Sequence, residues 1–282
     1  MYDNVLVGVD GSANSASAIA LAGQLADAGA RVTLAHVRAG ALNPVHASTP
    51  GMLDEEHDAS HELLERQRAA AGVDAELVSV VAATPGRGLH TQAEEQGADL
   101  LVVGSSSRGL LGRVMLGDDT RASLNGAPCA VAIAAHGYSQ PPAPMLAVGV
   151  GYNGSPESEA AIDAARAIAE RQHASLHAMD VVNLPTYAFT GIIPPVTGEG
   201  IEALLVEARA RLQAHPGVEG RAVYGLAGEE LAAFGDQLDL LVVGSRSYGP
   251  WKRLVLGSTS NYLQRHARCS LLVLPRAAGP AA

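Results

Sequence analysis

Short apolar runs alternate with amphipathic stretches along the whole chain, and half-way along the alternation starts again. Val5–Val9, Val32–Val37, residues 75–81, 100–103 and Ala130–Ala134 are too short for helices and rich in Val, Leu and Ala. Such runs predict strands buried on both faces of a parallel sheet. Between them the spacing predicts a helix over about 16–28, with Ser12 or Asn14 as its cap and Gly29 as its stop. Further helices are predicted over 54–71, from Thr84-Pro85-Gly86 to just before Gly97, and over 118–125, while the Gly-, Pro-, Ala- and Ser-rich residues 39–54 predict a mobile loop. The second half repeats the order. Strands are expected at 146–150, 175–181, 221–224, 240–243 and 271–274, with helices after Pro156, over 202–214, from Glu229 and from about Ser258. A proline-bearing loop occupies 183–199. Alternating β and α elements with short links predict an α/β fold of two tandem, doubly wound domains. The first would span 1–137, a linker 138–144 and the second 145–276, with a disordered tail at 277–282.

The repetition is literal in one place. Asp99-Leu100-Leu101-Val102-Val103-Gly104-Ser105 returns 140 positions later as Asp239-Leu240-Leu241-Val242-Val243-Gly244-Ser245. Looser identity runs on through Ser107/Ser247, Gly109/Gly249, Arg113/Arg253 and Gly117/Gly257, which establishes a tandem duplication. In each half an apolar strand runs into a Gly- and Ser-rich loop, which closes on a helix start at Gly117-Asp118 or Gly257-Ser258-Thr259. A strand, a glycine loop and a helix N-terminus together make an anion site, because backbone N–H groups and the helix dipole converge on one point.

Charge narrows the partners. The net charge of −10 argues against nucleic acid or an acidic membrane surface, which would need clustered Lys and Arg. The glycine loops are nevertheless locally basic, with Arg108 and Arg113 in one and Arg246, Lys252 and Arg253 in the other. Trp251, the only tryptophan, lies in the second. Cys129 and Cys269 hold equivalent places ahead of the last strand of each half and read as small buried residues, not as a disulfide or metal pair. A chain without a leader-like start or a long apolar run is expected to be cytoplasmic.

These loops resemble those of the universal stress protein family in its tandem form. The ATP-binding members carry Gly, two residues, Gly, nine residues, then Gly-Ser or Gly-Thr. Here Gly104 to Ser107 and Gly117-Asp118 match that spacing, as do Gly244 to Ser247 and Gly257-Ser258, with serine for the second glycine in both halves. Val-Gly-Val-Asp-Gly-Ser (7–12) and Gly-Tyr-Asn-Gly-Ser-Pro (151–156) extend the resemblance over nearly the whole chain. It implies a Rossmann-like, adenine-nucleotide alpha-hydrolase-like fold with a five-stranded parallel sheet per domain. The nucleotide would lie across the carboxyl ends of strands one, two and four. Carried over by position, Asp10 or its counterpart Asn153 would face adenosine, and the backbone at Val37 or Val181 would contact adenine. Gly104, Ser105, Ser107 and Gly117, or Gly244, Ser245, Ser247, Gly257, Ser258 and Thr259, would hold phosphates.

Two departures make the halves unequal. Asp118 replaces the phosphate hydroxyl in the first half; it caps a helix as well as serine does, but repels phosphate by as much as ~4 kcal/mol per charge pair at 4 Å. Asn153 replaces the carboxylate in the second half, a milder change because an amide still bonds a ribose hydroxyl. Serine at 107 and 247 hinders backbone approach wherever a positive φ is required. The resemblance therefore implies a stress-response protein that binds adenine nucleotide, ATP with or without Mg, better in the second domain. It would act as a ligand-dependent switch in which nucleotide orders 183–199 and 245–257. The two domains would pack as an internal pseudo-dimer or within a homo-oligomer, with a protein partner left open.

Rival readings are weaker. Gly149 to Gly154 formally match a dinucleotide fingerprint with Asp180 as its acid, but the first half lacks the triplet. His57 and His61 have chelating spacing without a third ligand, and His36 reads as a satisfied strand residue. No general base or nucleophile can be named, which disfavours a slow ATPase. A nucleotide-independent assembly module is the other rival, with residues 130–134 and 271–274 as edges for pairing.

Overall fold

The computed structural model describes residues 1–39, 50–105, 125–138, 144–183, 198–245, 254 and 257–275. Ser107, Gly117, Asp118 and Ser247 lie outside them, as do most of both glycine loops, the expected helix over 118–124 and the tail.

Each apolar run becomes a strand. The first half contains β1 (Asn4–Gly8), β2 (Arg31–Ala39), β3 (Glu76–Ala82), β4 (Leu100–Gly104) and β5 (Ala130–Ala134). Its helices are α1 (Ala13–Leu25), α2 (Pro50–Ala71) and α3 (Pro85–Gln96). The second half contains β6 (Ala147–Tyr152), β7 (Ser175–Val182), β8 (Glu219–Tyr224), β9 (Leu240–Gly244) and β10 (Ser270–Leu274). Its helices are α4 (Pro156–Gln172), α5 (Gly198–Gln213), α6 (Ala227–Phe234) and α7 (Ser258–His266).

Helix starts follow local chemistry. Ser12, Thr84 and Ser155 each stand at an N-cap in extended conformation, and their side chains accept from the first-turn N–H groups of α1, α3 and α4. Proline opens α3 and α4, where the N–H it lacks would be unpaired anyway. Some boundaries differ from expectation. Helix α2 begins at Pro50, inside the stretch expected as loop. Helix α1 begins at Ala13 and ends at Leu25, short of Gly29, because tertiary bonds take over: Asp27 N–H donates to Tyr2 O while Ala26 turns extended.

The ten strands form one sheet in the order β3-β2-β1-β4-β5-β10-β9-β6-β7-β8. Every described neighbouring pair is parallel except β5 with β10, which run antiparallel with Ala132 opposite Leu272. Each half thus has five parallel strands. The two strands expected as outward edges pair with each other, so they are closed to any external partner. The seam is dry on both faces. Ala130, Ala132, Ala134, Leu272 and Leu274 join one core with α1 and α4, while Val131, Ile133, Leu271 and Val273 join the other with Leu231 and Leu263.

Polar contacts across the halves reinforce the seam. Ala135 N–H donates to Ser270 Oγ at 3.2 Å. Arg171, at the end of α4, donates to Ala26 O, to the Asp27 carboxylate and to Gln24 O. It thereby satisfies carbonyls at the C-terminus of α1, a helix with no basic residue in its own last turn.

Burial pushes both thiols, Cys129 and Cys269, up to about 12. Both are free and buried, so at pH 8 roughly one in ten thousand would be thiolate even if reagent reached them. A chromogenic disulfide reagent should therefore leave the native protein untouched and titrate both thiols only after denaturation.

Candidate functional site

Strand order fixes where a ligand can sit. In each half the chain leaves the first strand, β1 or β6, on one side and the fourth, β4 or β9, on the other, opening a crevice at their carboxyl ends. The turn leaving the first strand is the same in both halves. Asp10 Oδ1 accepts from Ser12 N–H at 2.9 Å, and Asn153 Oδ1 accepts from Ser155 N–H at 3.0 Å. The serine so held then caps the following helix. The next hydroxyl differs: Ser15 Oγ donates to Asp10 at 2.8 Å, whereas Ser158 Oγ donates to Ser155 O at 2.8 Å. Partial burial pushes the Asp10 carboxyl up, but the bonds from Ser12 and Ser15 together outweigh it and hold the group below its ordinary value.

The signature glycines meet this turn from the other side. A Cβ at Gly104 would lie 2.5 Å from Asn14 O, and one at Gly244 would lie 2.7 Å from Glu157 Cβ and 2.8 Å from its carbonyl oxygen. Glycine is therefore required by helix–strand contact, whatever else the loop does. The next residues, Ser105 and Ser245, donate their N–H groups to Ala134 O and Leu274 O. Their hydroxyls are buried and have no hydrogen-bond partner.

In the second half these parts enclose a cavity of about 460 Å³. Asn153 and Val181 stand on one side, Gly244 and Ser245 on another, and Gly257, Ser258 and Thr259 close it. Seven of the eight residues expected there thus converge, Ser247 being outside the described residues. Helix α7 starts on this cavity with Gly257 as N-cap and no side-chain cap bond, and a helix N-terminus favours an anion. Ala227, Leu231 and Val243 supply an apolar wall, and Asn183 and Glu157 are among the further lining residues. These residues escaped the sequence reading.

In the first half Asp10 follows β1, Val37 lies in β2, and Gly104 ends β4 with Ser105 next, the matching positions. Asn14 corresponds to Glu157, and its Oδ1 lies 2.7 Å from His136 Nδ1. The dinucleotide alternative loses its parts. Gly149 and Gly151 lie inside β6 against Leu238 and Leu231, and Asp180 is buried and paired with Arg211 at 2.8 Å. Strand alternation puts Asp180 on the face opposite Val181. His36 Nδ1 lies 2.8 Å from Val9 O. Among the described residues, no group of three or more His, Cys, Asp or Glu is placed to hold a metal, and no helix is long and apolar enough to cross a membrane.

The universal stress protein family model matches residues 1–135 and again 145–275. The chain belongs to the universal stress protein family. A universal stress protein of Mycolicibacterium smegmatis is 32% identical over 297 residues, covering 96% of this chain and 96% of its own length. One from Mycobacterium tuberculosis is 30% identical over 296 residues, covering 95% and 96%. The crystal structure of a universal stress protein from Archaeoglobus fulgidus superposes with a TM-score of 0.66 at 17% identity, covering 98% of this chain and 99% of that one. At that identity the likeness concerns the fold alone, and it extends through both halves.

The tight glycine contact is testable apart from any ligand. Gly244→Ala should lower stability to urea by about 1–3 kcal/mol, because backbone of α4 must shift to admit the methyl. A glycine kept only for anion binding would give no change.

Proposed function

We propose that this universal stress protein binds adenine nucleotide in its second half, with ATP the preferred form, and acts as a ligand-dependent switch or interaction module. The observation that carries the reading is the buried, unpartnered Ser245 hydroxyl, which opens on the same cavity as the uncapped start of α7. A buried hydroxyl without a partner costs about 1–3 kcal/mol, a cost that a ligand oxygen would offset. The cavity volume falls within the usual range of small-molecule sites, roughly 300–1,000 Å³. Its apolar wall suits a base and its opposite end suits phosphate. Asn153 keeps its Nδ2 donor for a ribose hydroxyl, since only its Oδ1 and backbone N–H are engaged.

The first half should bind less well. Asp118 stands where Ser258 stands in the second, and an aspartate beside phosphate is repulsive while a hydroxyl donates. Calorimetric titration of nucleotide-stripped protein with Mg-ATP should give one site per chain, with Trp251 emission as an optical check. Ser258→Asp should weaken binding by at least about 100-fold. Two sites per chain, or unchanged binding in the variant, would reject the asymmetry. No heat and no emission change would favour an assembly module that has kept the fold and lost the ligand.

A further inference from the structure

The second cavity is not built by the second half alone. Because β5 and β10 run antiparallel, with Val131 opposite Val273, the amino end of β5 lies beside the carboxyl end of β10. The cavity opens at that same edge of the sheet, where Gly244 and Ser245, at the carboxyl end of the neighbouring β9, line it. The residues leading into β5 therefore reach the region of the second site.

One residue joins the two. Leu254 N–H donates to Ala127 O at 2.9 Å, and Leu254 O accepts from Gly126 N–H at 2.9 Å. Leu254 belongs by sequence to the second glycine loop, yet both of these backbone bonds go to the first half. Its side chain is fully buried, in the core that also holds Ala127, Cys129 and Leu263. Three residues on stands Gly257, the N-cap of α7, so at most about 11 Å of chain separates this anchor from the cavity wall. The other end of the loop stays in its own half, where Ser245 N–H donates to Leu274 O at 2.9 Å. The loop thus has one end fixed in each half.

A backbone donor and acceptor held away from water are costly to release, so Leu254 and Gly126 move as a unit. A ligand seated against Gly257 and Ser258 restrains the loop end, and through this bridge it restrains Gly126 as well. By linkage the effect is reciprocal: strain imposed at Gly126 weakens any ligand that holds the loop end.

We propose that Leu254, held by Gly126 and Ala127, is a positioning residue through which the first half sets the phosphate end of the second site and senses its occupant. The inference rests on the nucleotide reading above and adds the route by which the switch reaches the other half.

Amide hydrogen exchange on the native chain reads the coupling directly. With Mg-ATP at about ten times its dissociation constant, exchange that requires the bridge to open should slow roughly tenfold at both Gly126 and Leu254. The Ala98 amide, bonded to Ala93 O at 2.8 Å within the first half, should change by less than about twofold. Ser258→Asp should abolish the response at Gly126. Calorimetry reads the reverse direction. Gly126 has a φ of 92°, where a side chain is strained, so Gly126→Ala should weaken ATP by about fivefold and leave adenosine within about twofold.

An unchanged Gly126 amide while ATP binds overturns the proposal. Equal slowing at Ala98, the mark of general stabilisation, overturns it too, as does a Gly126 response that survives Ser258→Asp. A Gly126→Ala variant that keeps both ligands, or loses both alike, has the same force; should it fail to fold, exchange in the native chain decides. In each of these cases ATP binding itself still stands, and only this inference falls. If the native chain binds no ATP, the nucleotide reading falls and takes the inference with it.

Discussion

The antiparallel pairing of β5 with β10 is the constraint from which the rest of the architecture follows. A five-stranded parallel sheet ends on a strand with unpaired N–H and C=O groups, and an apolar last strand is an open invitation to other chains. Here each half supplies the other's missing neighbour, through Val131 and Val273, Ala132 and Leu272, Ile133 and Leu271. Because the pairing is antiparallel while each half is parallel within itself, the two sets of carboxyl ends point in opposite senses. The two candidate sites therefore open at opposite edges of one sheet. They share a core and do not share a crevice.

Sharing a core has a cost in freedom. Both apolar clusters draw residues from both halves, so neither half can shift its last strand without opening a seam that is dry on both faces. The Arg171 contacts tie the ends of α1 and α4 together as well. At the other end of each helix lies a candidate site, held by the contact between Asn14 or Glu157 and the signature glycine. The site geometry is in this sense a by-product of packing. The strand can end where it does only if glycine lets the helix start pass within contact distance, and the serine after it is then buried whether or not a ligand meets its hydroxyl.

This explains why the sequence disclosed so much of the fold. Strands buried on both faces are continuous apolar runs, and Ser12, Thr84 and Ser155 announce helix starts by local chemistry alone. The duplicated Asp-Leu-Leu-Val-Val-Gly-Ser marks a strand end in each half, and its glycine and serine line the second cavity. What stayed hidden depends on partners distant in sequence. The early end of α1 comes from Tyr2 and Arg171, and no local signal marks Leu25 as the last residue. The mutual pairing of β5 and β10 is invisible in either strand, each of which reads only as an available edge. Glu157 stands in a helix's first turn, a place where acids are common for dipole reasons, so nothing local marks it out.

That last ambiguity says something about how the halves could diverge. An aspartate and an asparagine accept the same bond from the residue two positions on, as Asp10 and Asn153 both do, so exchanging them leaves the turn intact. An acid in the first helical turn is compatible with the dipole, and an asparagine is tolerated there too, so exchanging Asn14 and Glu157 leaves the helix intact. Both substitutions that redistribute charge around the sites are thus close to neutral for folding. Asp118 against Ser258 belongs to the same class, because either residue serves at a helix start. Differences that the fold does not require are those in which a ligand's demands can show. The exchanges of Asp10 for Asn153 and of Asn14 for Glu157 both fall where the backbone accepts either residue.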